Sequence, residues 1–178
     1  MVERIEKALE VLQQIAGRDL IAGAAVAEDD GLTAAQMRVL RHVYLHRRPS
    51  VRSIADGLMV SPPAATQLVN KLVAKRLVAR SERKEDRRVV DVRLTRRGRE
   101  FARRLLQDRR KHLNRLLARM PAGSRQELAR GLEAFIAATL SDERSIEGAC
   151  LRCGKQHAGD CPVNEASQRI LGAECAHI

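Results

Sequence analysis

Four cysteines carry the most reactive side chains of this chain, and all four follow residue 149: Cys150, Cys153, Cys161 and Cys175. Cys150 and Cys153 form a C-x2-C unit, a spacing that turns two thiolates onto one ion. Cys161 follows with Pro162 beside it, and Cys175 can supply a fourth thiolate, with His157 as a substitute ligand and Asp160 nearby. Zinc takes four tetrahedral N or S ligands, often as two C-x2-C knuckles, and only one knuckle is present here. An iron–sulfur cluster takes thiolates at irregular spacing, and a closing Cys-Pro recurs in ferredoxin-type runs. Metal-free thiols sense oxidants when cations such as Arg152 and Lys155 favour the thiolate. The bland reading is a tail with incidental cysteines, and Cys161-Pro162 as a haem ligand rests on a dipeptide alone. The irregular spacing and the Cys-Pro ending favour an iron–sulfur cluster, with zinc as the alternative.

A second set of side chains suits hydrogen bonding. In 61-SPPAATQLVNKLVAKRLV-78, Ser61 is a good N-cap and Pro62 fits the first helical position, where no N–H is needed. Ala65, Leu68, Leu72 and Val73 give that helix its buried side, and Thr66, Gln67, Asn70 and Lys71 fall on the other. Ahead of it, Ser50 can cap a short helix with Val51, Ile54, Ala55 and Leu58 inward and Gly57 near its end. Behind it, Val90, Val92 and Leu94 alternate with Asp91, Arg93 and Thr95, the pattern of a half-buried strand, with Leu77 to Ser81 as hairpin partner. Between the strands, 82-ERKEDRR-88 holds Arg83, Lys84, Arg87 and Arg88 and no apolar anchor. Short helix, tight turn, polar-faced helix and charged hairpin make a winged helix-turn-helix pattern. Gln, Asn, Thr and Lys can read base edges in a major groove, and the hairpin arginines can reach phosphates or a minor groove. The bland reading is a solvent-facing polar surface.

Charge distribution favours nucleic acid. Residues 31–140 hold 26 basic against 9 acidic side chains, whereas residues 1–30 and 141–178 are both net acidic. Lys and Arg that neutralise phosphates are the sequence-independent basis of nucleic-acid affinity. The whole chain of 178 residues carries +11.

Other elements must position these two sets. Aromatic residues are 2% of the chain, so the core is built from aliphatic side chains, which favours helices. Ile5, Leu9, Leu12, Ile15 and Leu20 mark a first helix, ended by 28-EDDG-31. The capping box 33-TAAQ-36 starts a helix that buries Met37, Leu40 and Tyr44. Thr95 caps a long helix through Phe101, Leu105, Leu106, Leu113, Leu116 and Leu117 to Pro121. A second capping box, 124-SRQE-127, opens a helix with Leu128, Leu132, Phe135, Ile136 and Leu140. These terminal helices have more apolar face than one copy can cover, which points to a homodimer. His42 and His46 lie four apart on one helix, as do Asp108 and His112 on another. Such pairs can chelate a metal, although satisfied histidines and surface charge are the ordinary reading.

No apolar run is long enough for a transmembrane span, and the N-terminus lacks the apolar block of a signal peptide. The expectation is a cytoplasmic protein without a membrane partner. There is no phosphate-binding glycine loop and no nucleophile–base pair, so no enzyme is expected. The remote alternatives are a thiol redox protein using 150-CLRC-153 and an architectural DNA binder.

The segment SIADGLMVSPPAATQLVNKLVAKRLVARSERKEDRRVVDVRLTRRG, and the helix order around it over about residues 1–140, resemble the MarR family of bacterial transcriptional regulators. Its wing, EDRRVVDVRLTRRG, is the most specific part. The resemblance implies that Arg88 contacts DNA and that Asp86 orients a nearby basic side chain. It also implies a homodimer formed through the terminal helices and bound to double-stranded DNA at a pseudo-palindromic operator, in many members as a repressor released by a small-molecule effector or an oxidant. The expected fold is mainly α with a small β-hairpin. Residues 32–95 would be the DNA-binding domain, residues 1–30 and 96–141 the helical dimerisation region, and residues 142–178 a cysteine-rich addition. The expected function is a repressor whose tail cluster senses redox, oxygen or iron status; the alternative keeps the DNA function with a structural zinc and a small-molecule effector.

Overall fold

A computed structural model describes residues 1–15, 31–46, 48–82, 90–153 and 161–174. Helix α1 spans Val2–Ile15. Helices α2 (Ala34–Leu45), α3 (Val51–Leu58) and α4 (Pro62–Ala74) follow. Strands β1 (Val78–Glu82) and β2 (Val90–Leu94) pair antiparallel, with Arg80 opposite Val92. Then come α5 (Arg96–Ala118), α6 (Ala122–Thr139), α7 (Glu143–Cys153) and α8 (Pro162–Leu171). None of these helices is long and apolar enough to cross a membrane.

Local hydrogen bonds set most of the starts. Thr33 and Gln36 form the full capping box of α2. The Ser50, Ser61 and Thr95 hydroxyls accept from Ser53 N, Ala64 N and Gly98 N and cap α3, α4 and α5. The expected second box does not form. Helix α6 starts at Ala122 with Pro121 as its N-cap residue, so Ser124 already lies inside the first turn. There the Arg125 N–H donates to the Pro121 carbonyl, which fixes the start three residues early.

The core joins α2, α3, α4, the hairpin and the first turns of α5. Leu40, Ile54, Leu72, Val92 and Phe101 are fully buried there. On α4 the buried stripe is Ala65, Val69 and Leu72, an i, i+4, i+7 row. Val73, expected inside, is exposed because it lies one position past that row, and Leu68 is half-buried at its edge. Tyr44 is likewise only half-buried. Asp91 reverses its expected direction and is buried. The Val92 N–H donates to the Pro49 carbonyl, and Ser50 bridges to Asp91, so the Pro49–Ser50 segment runs beside β2. A Cβ at Gly98 would collide with the Leu77 carbonyl, and this close approach seats α5 against the end of β1.

After α6 the chain forms two helices that the cysteine spacing did not suggest. Helix α7 packs on α3, and α8 packs on both α6 and α7. Leu140, Ile146 and Ala166 form a separate small core, with Ala149, Cys150 and Val163 against it.

Candidate DNA-reading face and cysteine hairpin

Helix α4 keeps its polar side in solvent because its other side is held in the core. Gln67, Asn70 and Lys71 are exposed, and Ser61 and Pro62 lead into them from the α3–α4 turn. Thr66 differs, since its hydroxyl donates to the Pro62 carbonyl at 2.9 Å. That leaves its lone pairs, and not its proton, for an outside partner. The turn itself places Met59 at φ +56, a left-handed conformation that a side chain rarely adopts. Met59 is 71% exposed at the rim of this face. The wing residues Arg83, Lys84, Asp86, Arg87 and Arg88 lie outside the described residues.

Neither candidate chelating pair, His42 with His46 or Asp108 with His112, joins a third donor among the described residues. His42 is buried, its ring 4.1 Å from that of His46 and pressed against Gly57 of α3, where no Cβ could fit. Burial, then the charges of His46 and Arg41, push its pKa down to about 3, so it is neutral at ordinary pH. His112 is half-buried on α5, its Nε2 without a hydrogen-bond partner among the described residues, and Asp108 faces Lys111 at 3.6 Å.

The tail thiols are carried by helix ends. Cys150 and Cys153 sit in the last turn of α7, three residues apart and so on one face. Cys161 is the N-cap residue of α8, with Pro162 at the first helical position. All three are half-buried, and Cys150 also packs into the small core. Thiolates are donors that suit zinc or an iron–sulfur cluster. Among the described residues no three His, Cys, Asp or Glu side chains lie close enough together to hold one ion. Cys175, His157 and Asp160 lie outside those residues.

The helical nature of the tail was missed, although its signals are local. Asp142 accepts from the Ser145 N–H at 2.7 Å and caps α7, and the same contact holds the Asp142 carboxyl below the usual carboxylate range. Pro162 at the start of α8 and Gly172 just past its end, at φ +70, are the usual helix brackets.

Residues 30–89 match the model of the MarR family. Over 71 residues the chain is 39% identical to the HTH-type transcriptional repressor MdtR of Bacillus subtilis (strain 168), covering 40% of this chain and 46% of that one. The chain thus spans about half the length of this curated relative. The crystal structure of RV1404 from Mycobacterium tuberculosis is 29% identical, covers 77% of this chain and 92% of its own, and superposes with a TM-score of 0.64. The crystal structure of the S. aureus MepR–DNA complex, at 17% identity and a TM-score of 0.60 over 74% of this chain and 96% of its own, shares the fold. With the capped helix pair, the two-stranded hairpin and the long flanking helices in place, the chain has a winged-helix fold and is similar to the regulators of the MarR family, whose model its residues 30–89 match.

Proposed function

We propose that this chain is a homodimeric DNA-binding transcriptional repressor, and that its tail cysteines hold an iron–sulfur cluster that reports redox, oxygen or iron status. The observation that carries the DNA function is the face of α4, where Gln67, Asn70 and Lys71 project into solvent from a helix whose opposite side is fully buried. Gln and Asn can pair bidentately with adenine, and Lys can reach guanine O6 and N7. The basic wing, with Arg88 foremost, would hold phosphates or enter the adjoining minor groove. Two copies suit the terminal helices: Ile5, Leu12, Leu128, Leu132 and Phe135 are 41–48% exposed in one chain, and a two-fold partner is the simplest cover for such a face. Half-sites about one DNA turn apart follow from that symmetry.

The donor set supports the cofactor. Cys150, Cys153 and Cys161 are thiols at two helix ends, completed by Cys175 or His157. A cluster held there would supply sensitivity to oxidants and to iron supply. A zinc reading keeps the same residues, and the ordered last turn of α7 suits such a static staple. The signal would then be a small-molecule effector.

Selection of duplexes from a random pool tests the DNA function. A pseudo-palindrome should be enriched, and Gln67→Ala or Asn70→Ala should each weaken binding to it by about 1–3 kcal/mol. Equal binding to every duplex would favour an architectural DNA binder instead. Iron, sulfide and zinc analysis of chain purified without oxygen separates the two cofactors.

A further inference from the structure

A cavity of about 620 Å³ opens where the end of α2, strand β2 and the first turn of α5 meet. Tyr44 and Leu45 line it from α2, Arg93 and Leu94 from β2, and Arg99 from α5. Among the described residues none of α1, α6, α7 or α8 lines it, so it is built within the winged helix of one chain. Its size suits a small organic ligand.

Each wall has a local cause. The bond from the Val92 N–H to the Pro49 carbonyl and the bridge from Ser50 to Asp91 fasten the chain after α2 beside β2. That path leaves Arg48, which also lines the cavity, at φ +50, a left-handed conformation that costs a residue with a side chain free energy. On the hairpin Ala79 pairs opposite Arg93, and both line the cavity, so a methyl group leaves room beside a guanidinium. Arg99 stands one turn into α5, its N–H donating to the Thr95 carbonyl. Half-buried Tyr44 gives the wall an apolar ring and a phenolic hydroxyl.

The charge of this space is one-sided. Arg48, Arg93 and Arg99 are exposed, and among the described residues none of them makes a hydrogen bond or an ion pair through its side chain. No Asp or Glu among the described residues lines the cavity. A guanidinium stays charged at every ordinary pH, and the start of α5 adds a partial charge of the same sign. A monocarboxylate would answer only one of these cations. A phosphate monoester carries about 1.5 to 2 negative charges near pH 7 and offers three acceptor oxygens, which suits several forked donors.

We propose that this cavity binds a small phosphate monoester with an apolar or aromatic body. Arg48, Arg93 and Arg99 hold the phosphate, and the body lies against Tyr44, Leu45 and Leu94. The ligand joins the end of α2 to the base of the hairpin that carries the wing. Only its role as an effector rests on the DNA-binding reading; binding itself is tested without a duplex, so the two fail separately.

Tyr44 is the single tyrosine of a chain without tryptophan, so its fluorescence reports on this cavity directly. The full chain is titrated with phenyl phosphate, benzoate and inorganic phosphate at one ionic strength, with calorimetry as a second readout. Phenyl phosphate should bind once per chain, about 10-fold tighter than benzoate, which has less charge, and than inorganic phosphate, which has no ring. Arg93→Gln and Arg99→Gln should each weaken it about 10-fold. Ala79→Leu keeps every charge but fills the space, and should abolish binding; if it does not fold, Ala79→Val takes its place and should weaken binding. Absence of saturable phenyl phosphate binding, or benzoate bound as tightly, overturns the proposal. So does wild-type affinity in the folded Ala79 variant, which would make the three arginines plain surface charge for any phosphate, that of DNA included.

Discussion

The winged-helix core and the tail hairpin hold together by different means. The core buries Leu40, Ile54, Leu72, Val92 and Phe101 from five elements against one another. The tail pair buries Ile146 and Ala166 with Leu140, and adds its remaining contacts by leaning on α3 and α6. At about 25 cal/mol per Å² of apolar surface, so small a core gives little independent stability. The face of α4 proposed to read DNA therefore stands on its own packing, whereas the thiol-bearing helices depend on their neighbours. A unit of that kind is suited to report a change, because a modest loss of contacts frees it without unfolding the rest.

Core substitutions should break this contrast most visibly. Phe101→Ala should cost about 3–5 kcal/mol and lower the single melting transition of the whole winged helix. Ile146→Ala removes a side chain that is just as buried, yet in thermal unfolding followed by exchange it should release α7 and α8 alone. One common transition for both variants would mean that the tail is part of the core. Gly98→Ala comes next. The added methyl meets the Leu77 carbonyl, which is backbone and cannot swing away, so a loss of about 3 kcal/mol is expected in urea unfolding.

A pH dependence should sharpen the same contrast. The folded pKa of His42 is pushed down to about 3 from an ordinary 6.5, so the unfolded chain takes up the proton first. The stability of the core is then full above about pH 6.5 and falls as pH drops towards 3, by up to about 1.4 kcal/mol per pH unit. His42→Gln should flatten that slope in denaturant titrations at pH 7 and pH 5, and exchange in the tail should not follow it. The smallest effect expected is from Ser61→Ala, which removes the cap of α4 and should cost about 1 kcal/mol by melting temperature.

Where the sequence spoke plainly, the cause was local. Thr33, Ser50, Ser61 and Thr95 each bond an amide three residues on, and that arithmetic is visible in the chain itself. The alternation of β2 was visible too, but Asp91 is buried by the Pro49–Ser50 segment, and no period-two pattern contains that distant strand. In the tail the cysteine spacing drew the reading towards metal chemistry and away from the Asp142 cap and the Pro162–Gly172 brackets, which announce helices. The bond from Arg41 to Cys153 joins residues 112 positions apart, and only the fold brings them together.

The most direct test of the account is the affinity of the chain for its selected duplex, measured at fixed salt before and after the tail metal is stripped. The account predicts metal bound to the tail thiols, a stripped protein whose winged helix is still folded, and an affinity that changes by roughly 10-fold between the two states. Equal affinity in the loaded and stripped states, with the metal shown to be gone, would contradict it.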